Sequence, residues 1–209
     1  ALKEDQQSFL DNDPAAKSRA EIYFLYHGFK ALRSHRRAQW FLKHGMPFLA
    51  RCISQKTARK TGIEIHPGAT IGRRVVIDHG HGIVIGETAE VGDDVLIYQG
   101  VTLGGTGKDI GKRHPTIERG VMIGAGAKIL GPITVGHGAK VAAGAVVLCD
   151  VAPNATVVGV PGKVVRIDGE RVDDMDQIHI PDPVAQAIAQ NQEKIAALAQ
   201  KMNELEERL

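Results

Sequence analysis

A mainly β fold, a parallel β-helix with an N-terminal helical segment and a C-terminal helix, is predicted by three features of the 209-residue chain. An aliphatic residue recurs every six positions through the middle of the sequence. Aromatic residues make up only 4% while glycine occurs 24 times. Helical spacing is confined to the two ends. A core of Ile, Val and Ala on a backbone with many tight turns suits short strands and corners better than a helical bundle.

The period begins at Ile65 and runs through Ile71, Ile77, Ile83, Ala89, Val95 and Val101, then resumes at Ile117, Ile123, Ile129, Val135, Val141 and Val147. Every position but Ala89 is Ile or Val. Six matches neither the helical period of 3.6 nor the strand period of two, but it fits a chain that turns a corner each hexapeptide and stacks its strands about 4.8 Å apart. Gly and other small residues follow at the corners (IGRR, IGET, IGAG, VGHG). Two hexads beyond Val101 would end at Arg113, yet the series resumes only at Ile117, four places later. The segment 104–115 (GGTGKDIGKRHP) is therefore predicted to leave the prism as a loop. A prism has flat walls, and a loop reaching a neighbouring subunit would enclose a substrate, which places the active site between subunits. The predicted division is a helical region over 1–62, the β-helix over 63–166, and a linker with a C-terminal helix over 167–209.

In the first region Asp13-Pro14 reads as an N-cap followed by proline at the first helical position. Leu25, Phe29 and Leu32 recur at helical spacing, and a second helix is predicted from about Arg36 to His44, ended by Gly45 and Pro47. The basic run Arg33, His35, Arg36 and Arg37 reads as a solvated helix face. At the other end Val184, Ile188, Asn191, Ile195, Leu198, Met202, Leu205 and Leu209 alternate by four and three, a coiled-coil seam.

A net charge of +2 with its signs mixed does not suit a nucleic-acid binder. Cys52 and Cys149 lack metal-type spacing and fit a reduced compartment, so a cytoplasmic protein is expected. No apolar run approaches the roughly 18 residues of a membrane span, and no signal-peptide pattern opens the chain.

Of nine histidines, His66, His79, His81 and His114 fall near one another in repeat phase. A lone histidine is more often structural than catalytic, but Asp78-His79 follows Ile77 directly. Glu64 precedes His79 by slightly less than one coil of three hexads, which would put the two on adjacent coils of one face. A carboxylate behind an imidazole fixes its tautomer and steadies the imidazolium. Gly104, Gly105 and Gly107 read as loop hinges, because a glycine cluster alone is weak evidence for a phosphate cradle.

The stretches DPAA (13–16), IHPGATIG (65–72), IDHGHGIVIGET (77–88), VTLGGTGK (101–108), KRHP (112–115), VMIGAGAKILG (121–131) and GVPGKVVR (159–166) resemble the serine O-acetyltransferases among the hexapeptide-repeat acyltransferases. The resemblance implies a left-handed triangular β-helix that moves the acetyl group of acetyl-CoA onto the hydroxyl of L-serine, the first step of cysteine biosynthesis. By position it implies His79 as general base with Glu64 behind it, where the best-known members carry Asp. Asp13 and Asp78 would hold the substrate ammonium, and Arg113 with His114 its carboxylate, where a guanidinium suits planar bidentate geometry. For acetyl-CoA it implies Gly105 and Thr106 by the pantetheine arm, Ala125 and Ala143 at unbranched corners, and Lys163 and Arg166 at the nucleotide phosphates. No metal is expected.

Other readings remain at this point. A metal hydratase of the γ-carbonic anhydrase type shares the prism but needs three convergent imidazoles, and His79 and His81, two apart on one strand, would point to opposite faces. A xenobiotic or sugar acetyltransferase would use an equivalent histidine, but paired acidic and Arg-His ends favour a zwitterionic acceptor. A scaffold role would rest on a complex with O-acetylserine sulfhydrylase, yet the chain finishes Glu206-Glu207-Arg208-Leu209 where the family's docking tails end in isoleucine, which counts against that complex. The stretch before Asp13 is short beside the helical domain that joins two such trimers into a hexamer, and three C-terminal helices share a prism's threefold symmetry. A homotrimer is the expectation, a hexamer the alternative.

Overall fold

A computed structural model describes residues 2–105, 107 and 110–171. The coiled-coil heptads and Thr106 lie outside the described residues. Four helices come first: α1 (Leu2–Asn12), α2 (Arg19–Leu25), α3 (His27–Lys43) and α4 (Pro47–Thr61). The strands β1 (Ile63–Ile65), β2 (Thr70–Ile71), β3 (Val76–Ile77), β4 (Ile83–Ile85), β5 (Glu90–Val91), β6 (Leu96–Ile97) and β7 (Thr102–Gly104) lead to the loop. After it come β8 (Thr116–Ile117), β9 (Met122–Ile123), β10 (Lys128–Leu130), β11 (Thr134–Val135), β12 (Lys140–Val141) and β13 (Val146–Val147). The last three are β14 (Ala155–Val158), β15 (Lys163–Ile167) and β16 (Glu170–Arg171).

Three parallel sheets form the walls of the prism, in the orders β1-β4-β7-β10-β13, β2-β5-β8-β11 and β3-β6-β9-β12-β14, with β15 and β16 added antiparallel to the last. An aliphatic column stacks along each wall. Ile65, Ile85, Leu103, Ile129 and Val147 stack in the first; Ile71, Val91, Ile117 and Val135 in the second; Ile77, Ile97, Ile123, Val141 and Val157 in the third. Inward aliphatic groups on three sides of a narrow prism are the main apolar burial, and they explain why the core needs almost no aromatic side chains.

The coils are not uniform, and both departures matter. Leu103 pairs with Ile85 one regular coil of three hexads earlier, whereas Ile85 pairs with Ile65, two places further back than a regular coil would reach. The two extra positions fall in the turn 78–82, and the column residues are Ile85, Val91, Ile97 and Leu103. The six-residue series slips there onto Ile83, Ala89, Val95 and Val101, two places ahead and equally buried. Next, Ile129 pairs with Leu103 across a regular coil and eight further positions, so the loop adds eight rather than four. The prism regains the chain at Pro115, whose carbonyl accepts from Glu90 N–H at 3.1 Å.

The helices correct the sequence reading in three places. Asp13 follows α1 and caps nothing; Ser18 is the N-cap of α2 and accepts from Glu21 N–H at 3.2 Å, while the Glu21 carboxylate accepts from Lys17 N–H at 2.9 Å. The helix expected from Arg36 begins at His27, and Leu25, apart from it on α2, is exposed while Phe29 and Leu32 are buried. The basic run is not simply solvated: His35 is buried, and Arg36 pairs at 2.8 Å with the buried Asp5 carboxylate of α1. The fourth helix starts on Pro47 and ends at Gly62, φ 71°.

Candidate active site

The two-residue insertion puts Asp78 to Gly82 into a turn at the corner between the third and first walls. His79 there has φ 55° and Gly80 φ 87°, left-handed conformations that a non-glycine residue holds only at some cost. Helix α3 packs onto this corner through Gly28, where an added Cβ would stand 2.1 Å from the Ile77 carbonyl oxygen. That close approach brings the start of α3 against the turn, and Asp13, Tyr26, His27, Asp78, His79 and His81 line one cavity of about 340 Å³.

Asp13 is held there by its own chain. Its Oδ2 accepts from the Tyr26 hydroxyl at 2.7 Å and its Oδ1 from Ala15 N–H at 2.8 Å. These bonds, and after them the His79 charge, keep the Asp13 carboxyl below the usual carboxylate range. Burial, with Asp13 next, raises the Tyr26 hydroxyl, so it stays a donor. His27 faces His81 with ring centroids 5.1 Å apart, and burial followed by His81 lowers its pKa. Since 78–82 is a turn, His79 and His81 do not sit on opposite faces of a strand as expected; both face this cavity.

The four histidines picked out by phase are not one group. His66 and His114 sit at the next corner, between the first and second walls. There Arg113 pairs with Glu87 at 2.5 Å, and Thr88 N–H donates to His114 Nδ1 at 3.2 Å. Gly68 N–H donates likewise to His66 Nδ1 at 3.0 Å, so a neutral ring in either place carries its proton on Nε2. Burial first, then Arg113 beside His114 and Arg51 near His66, lowers both imidazoles. Gly105 enters the loop beside Arg113 and His114.

Glu64 lies on β1, with Val84 as its register partner. Its carboxylate accepts from Gln55 at 3.4 Å, and among the described residues no hydrogen bond joins it to His79. It stands two residues beyond Gly62, whose carbonyl accepts from Gly82 N–H of the His79 turn at 2.8 Å. Ala125 and Ala143 belong to the His79 corner. Gly100 N–H bonds to His81 O, Gly126 N–H to Gln99 O and Gly144 N–H to Ala125 O, a ladder that sets His81, Gln99, Ala125 and Ala143 on successive coils, about 4.8 Å apart. Lys163 and Arg166, both exposed, lie on β15 beyond the last coil. Tyr26, His27 and Glu87 were not assigned from sequence; Tyr26 and His27 are joined to the corner only by the fold, whereas Glu87 lies inside the IGET stretch. Among the described residues no group of three His, Cys, Asp or Glu could hold a metal ion, and no helix is long and apolar enough to cross a membrane.

The bacterial transferase hexapeptide family (six repeats) matches residues 114–149. The serine acetyltransferase of Bacillus subtilis (strain 168) is 52% identical over 209 residues, 100% of this chain and 96% of that protein. The chain belongs to the serine acetyltransferase family. Two solved members of that family superpose on it. The Neisseria gonorrhoeae serine acetyltransferase in complex with serine has a TM-score of 0.77 at 42% identity, over 79% of this chain and 67% of that one. The Brucella abortus (strain S19) serine acetyltransferase in complex with coenzyme A has 0.77 at 46%, over 78% and 66%.

Proposed function

We propose that the chain moves the acetyl group of acetyl-CoA onto the hydroxyl of L-serine, with His79 as the general base. The observation that carries this reading is the meeting of Asp13, Asp78 and His79 at one cavity. The two carboxylates take the substrate ammonium and leave the hydroxyl facing the imidazole. His79 takes the hydroxyl proton as the oxygen attacks the thioester carbonyl; the tetrahedral adduct then breaks its C–S bond, and the departing thiolate recovers the proton from the imidazolium. Glu64, one rung from the turn, steadies that imidazolium. Pantetheine lies along the Ala125 and Ala143 corners with Gly105 and Thr106 near its reactive end, and Lys163 and Arg166 meet the phosphates.

Arg113 and His114 bind the serine carboxylate from a neighbouring subunit, because in one chain they occupy a different corner from His79. This makes a trimer the working unit, and the two unpaired cysteines suit the cytoplasm. The test is an acceptor screen that follows CoA release from acetyl-CoA with serine, homoserine, sugars and chloramphenicol. Serine should dominate; faster turnover with a sugar or chloramphenicol would overturn the assignment.

A further inference from the structure

From His27 to Thr61 the chain carries nine Lys or Arg residues and no Asp or Glu, in a protein with 24 acidic residues. The charges that look mixed over the whole sequence are thus segregated in the α3–α4 hairpin. Lys30, Arg33 and Arg37 recur at three and four residues along α3, and Lys56 and Lys60 at four along α4, so the fold sets both rows along one groove. Two cavities of about 450 and 440 Å³ run into each other there, sharing Ser34, Arg37, Thr57 and Lys60. Among the described residues no carboxylate lines either one.

Elsewhere arginines find acidic partners: Arg36 with Asp5, Arg73 with Glu4, Arg74 with Asp94, Arg113 with Glu87. Among the described residues none of the five groove cations forms a salt bridge. Arg33 lies over the Tyr23 ring, 4.1 Å from its centroid, and its Nη1 is buried without a hydrogen-bond partner among the described residues. The fork is therefore held in place before any ligand arrives. The Ser34 and Thr57 hydroxyls touch at the floor. Like charges at this spacing repel and weaken both helices, and a bound polyanion would reverse that repulsion.

We propose that the α3–α4 groove binds a small polyanion bearing two or more phosphoryl groups. Its volume suits a small-molecule site, and five cations converging on one concavity match a compact charge rather than the extended stripe that tracks a nucleic-acid backbone. Among the described residues the groove shares no lining residue with the cavity of Asp13 and His79.

The test is calorimetric titration of the full chain in its native assembly with sodium tripolyphosphate, at about 0.15 M salt, repeated on a Lys163→Ala/Arg166→Ala variant that removes the phosphate contacts proposed for the transfer site. Saturable binding at one site per chain is expected, with orthophosphate about tenfold weaker or worse. The Arg37→Ala/Lys60→Ala double variant should lose at least about tenfold in affinity and keep its acetyl transfer, since both side chains are exposed and remote from the site. Lys56→Gln, also exposed, should weaken binding to a smaller degree. Absence of saturable binding, undiminished affinity in both variants, or equal competition by a short DNA duplex would overturn the proposal.

Discussion

The Tyr26 hydroxyl donates to Asp13 Oδ2 at 2.7 Å and thereby ties the loop after α1 to the break between α2 and α3. Tyr26 has φ −71° and ψ 118°, extended values that end one helix and turn the ring back toward Asp13. Phe9 of α1 meets that ring edge-on at 6.0 Å and meets Phe29 in the same way. The apolar packing of three helices thus sets the direction of one carboxylate, which lines the same cavity as Asp78 and His79.

Tyr26→Phe keeps the ring and removes the donor, so it tests positioning apart from packing. A net loss of about 1 kcal/mol is expected, read as a several-fold rise in the KM for serine with little change in that for acetyl-CoA. Asp13→Asn should cost more in the same direction. Equal effects on both substrates would show that Tyr26 only packs.

His79→Ala should lower kcat by about 10² to 10⁴ with the fold intact. Glu64→Gln keeps size and loses charge, and is expected to reduce kcat more than it changes serine affinity. An unchanged kcat would leave Glu64 as the partner of Gln55 and nothing more.

Gly86→Ala addresses the second corner. A Cβ there would stand 2.0 Å from the His114 ring, which is itself 8% exposed. The imidazole must move, breaking its contact with Thr88, and serine affinity should fall while the denaturation midpoint changes less. Steady-state kinetics on the folded variant would check this.

The aliphatic columns were legible because each inward position of a narrow prism tolerates little beyond Ile, Val or Leu. The slip at Ile77 was not, since Ile83 and Ile85 of one strand both point inward and a series through either looks continuous. That slip conceals the insertion that makes the His79 turn. Helix α4 escaped because it buries Ala50, Ser54 and Thr61 rather than a large apolar face; its start and stop were marked by Pro47 and Gly62. Asp13 was read both as an N-cap and, from the resemblance, as a contact of the substrate ammonium; the capping signal belongs to Ser18 and Glu21. Its link to Tyr26 depends on how α1, α2 and α3 pack, and no spacing in the chain encodes it.

His35 gives a stability signature. Burial, with the Arg36 charge next, pushes its imidazole down to about 4 from an ordinary value of 6.5. Between those values the unfolded chain binds a proton that the folded one does not. Stability is therefore full above about pH 6.5 and falls as pH drops toward 4, by up to about 3 kcal/mol. His35→Gln should flatten this slope, seen as a smaller difference between urea midpoints at pH 7.5 and pH 5 than the parent shows. An unchanged difference would place the acid sensitivity in other groups.

The proposed division of the site between two corners leads to a test that needs no structure of the assembly. In one chain His79 belongs to the corner of the third and first walls, while Arg113 and His114 belong to that of the first and second. A prism wall is flat, so one chain cannot fold its second corner onto its first; a neighbour related by threefold symmetry can present it. If each site takes His79 from one subunit and Arg113 from the next, chains carrying His79→Ala and chains carrying Arg113→Ala are each inactive alone for different reasons. Unfolded together in equal amounts and refolded, they assemble at random, and about one quarter of the interfaces join an intact His79 to an intact Arg113. Activity near that fraction of the parent's is the expected result. Mixtures no more active than their components would mean that each chain holds its whole site, and that the Arg113 corner serves another purpose.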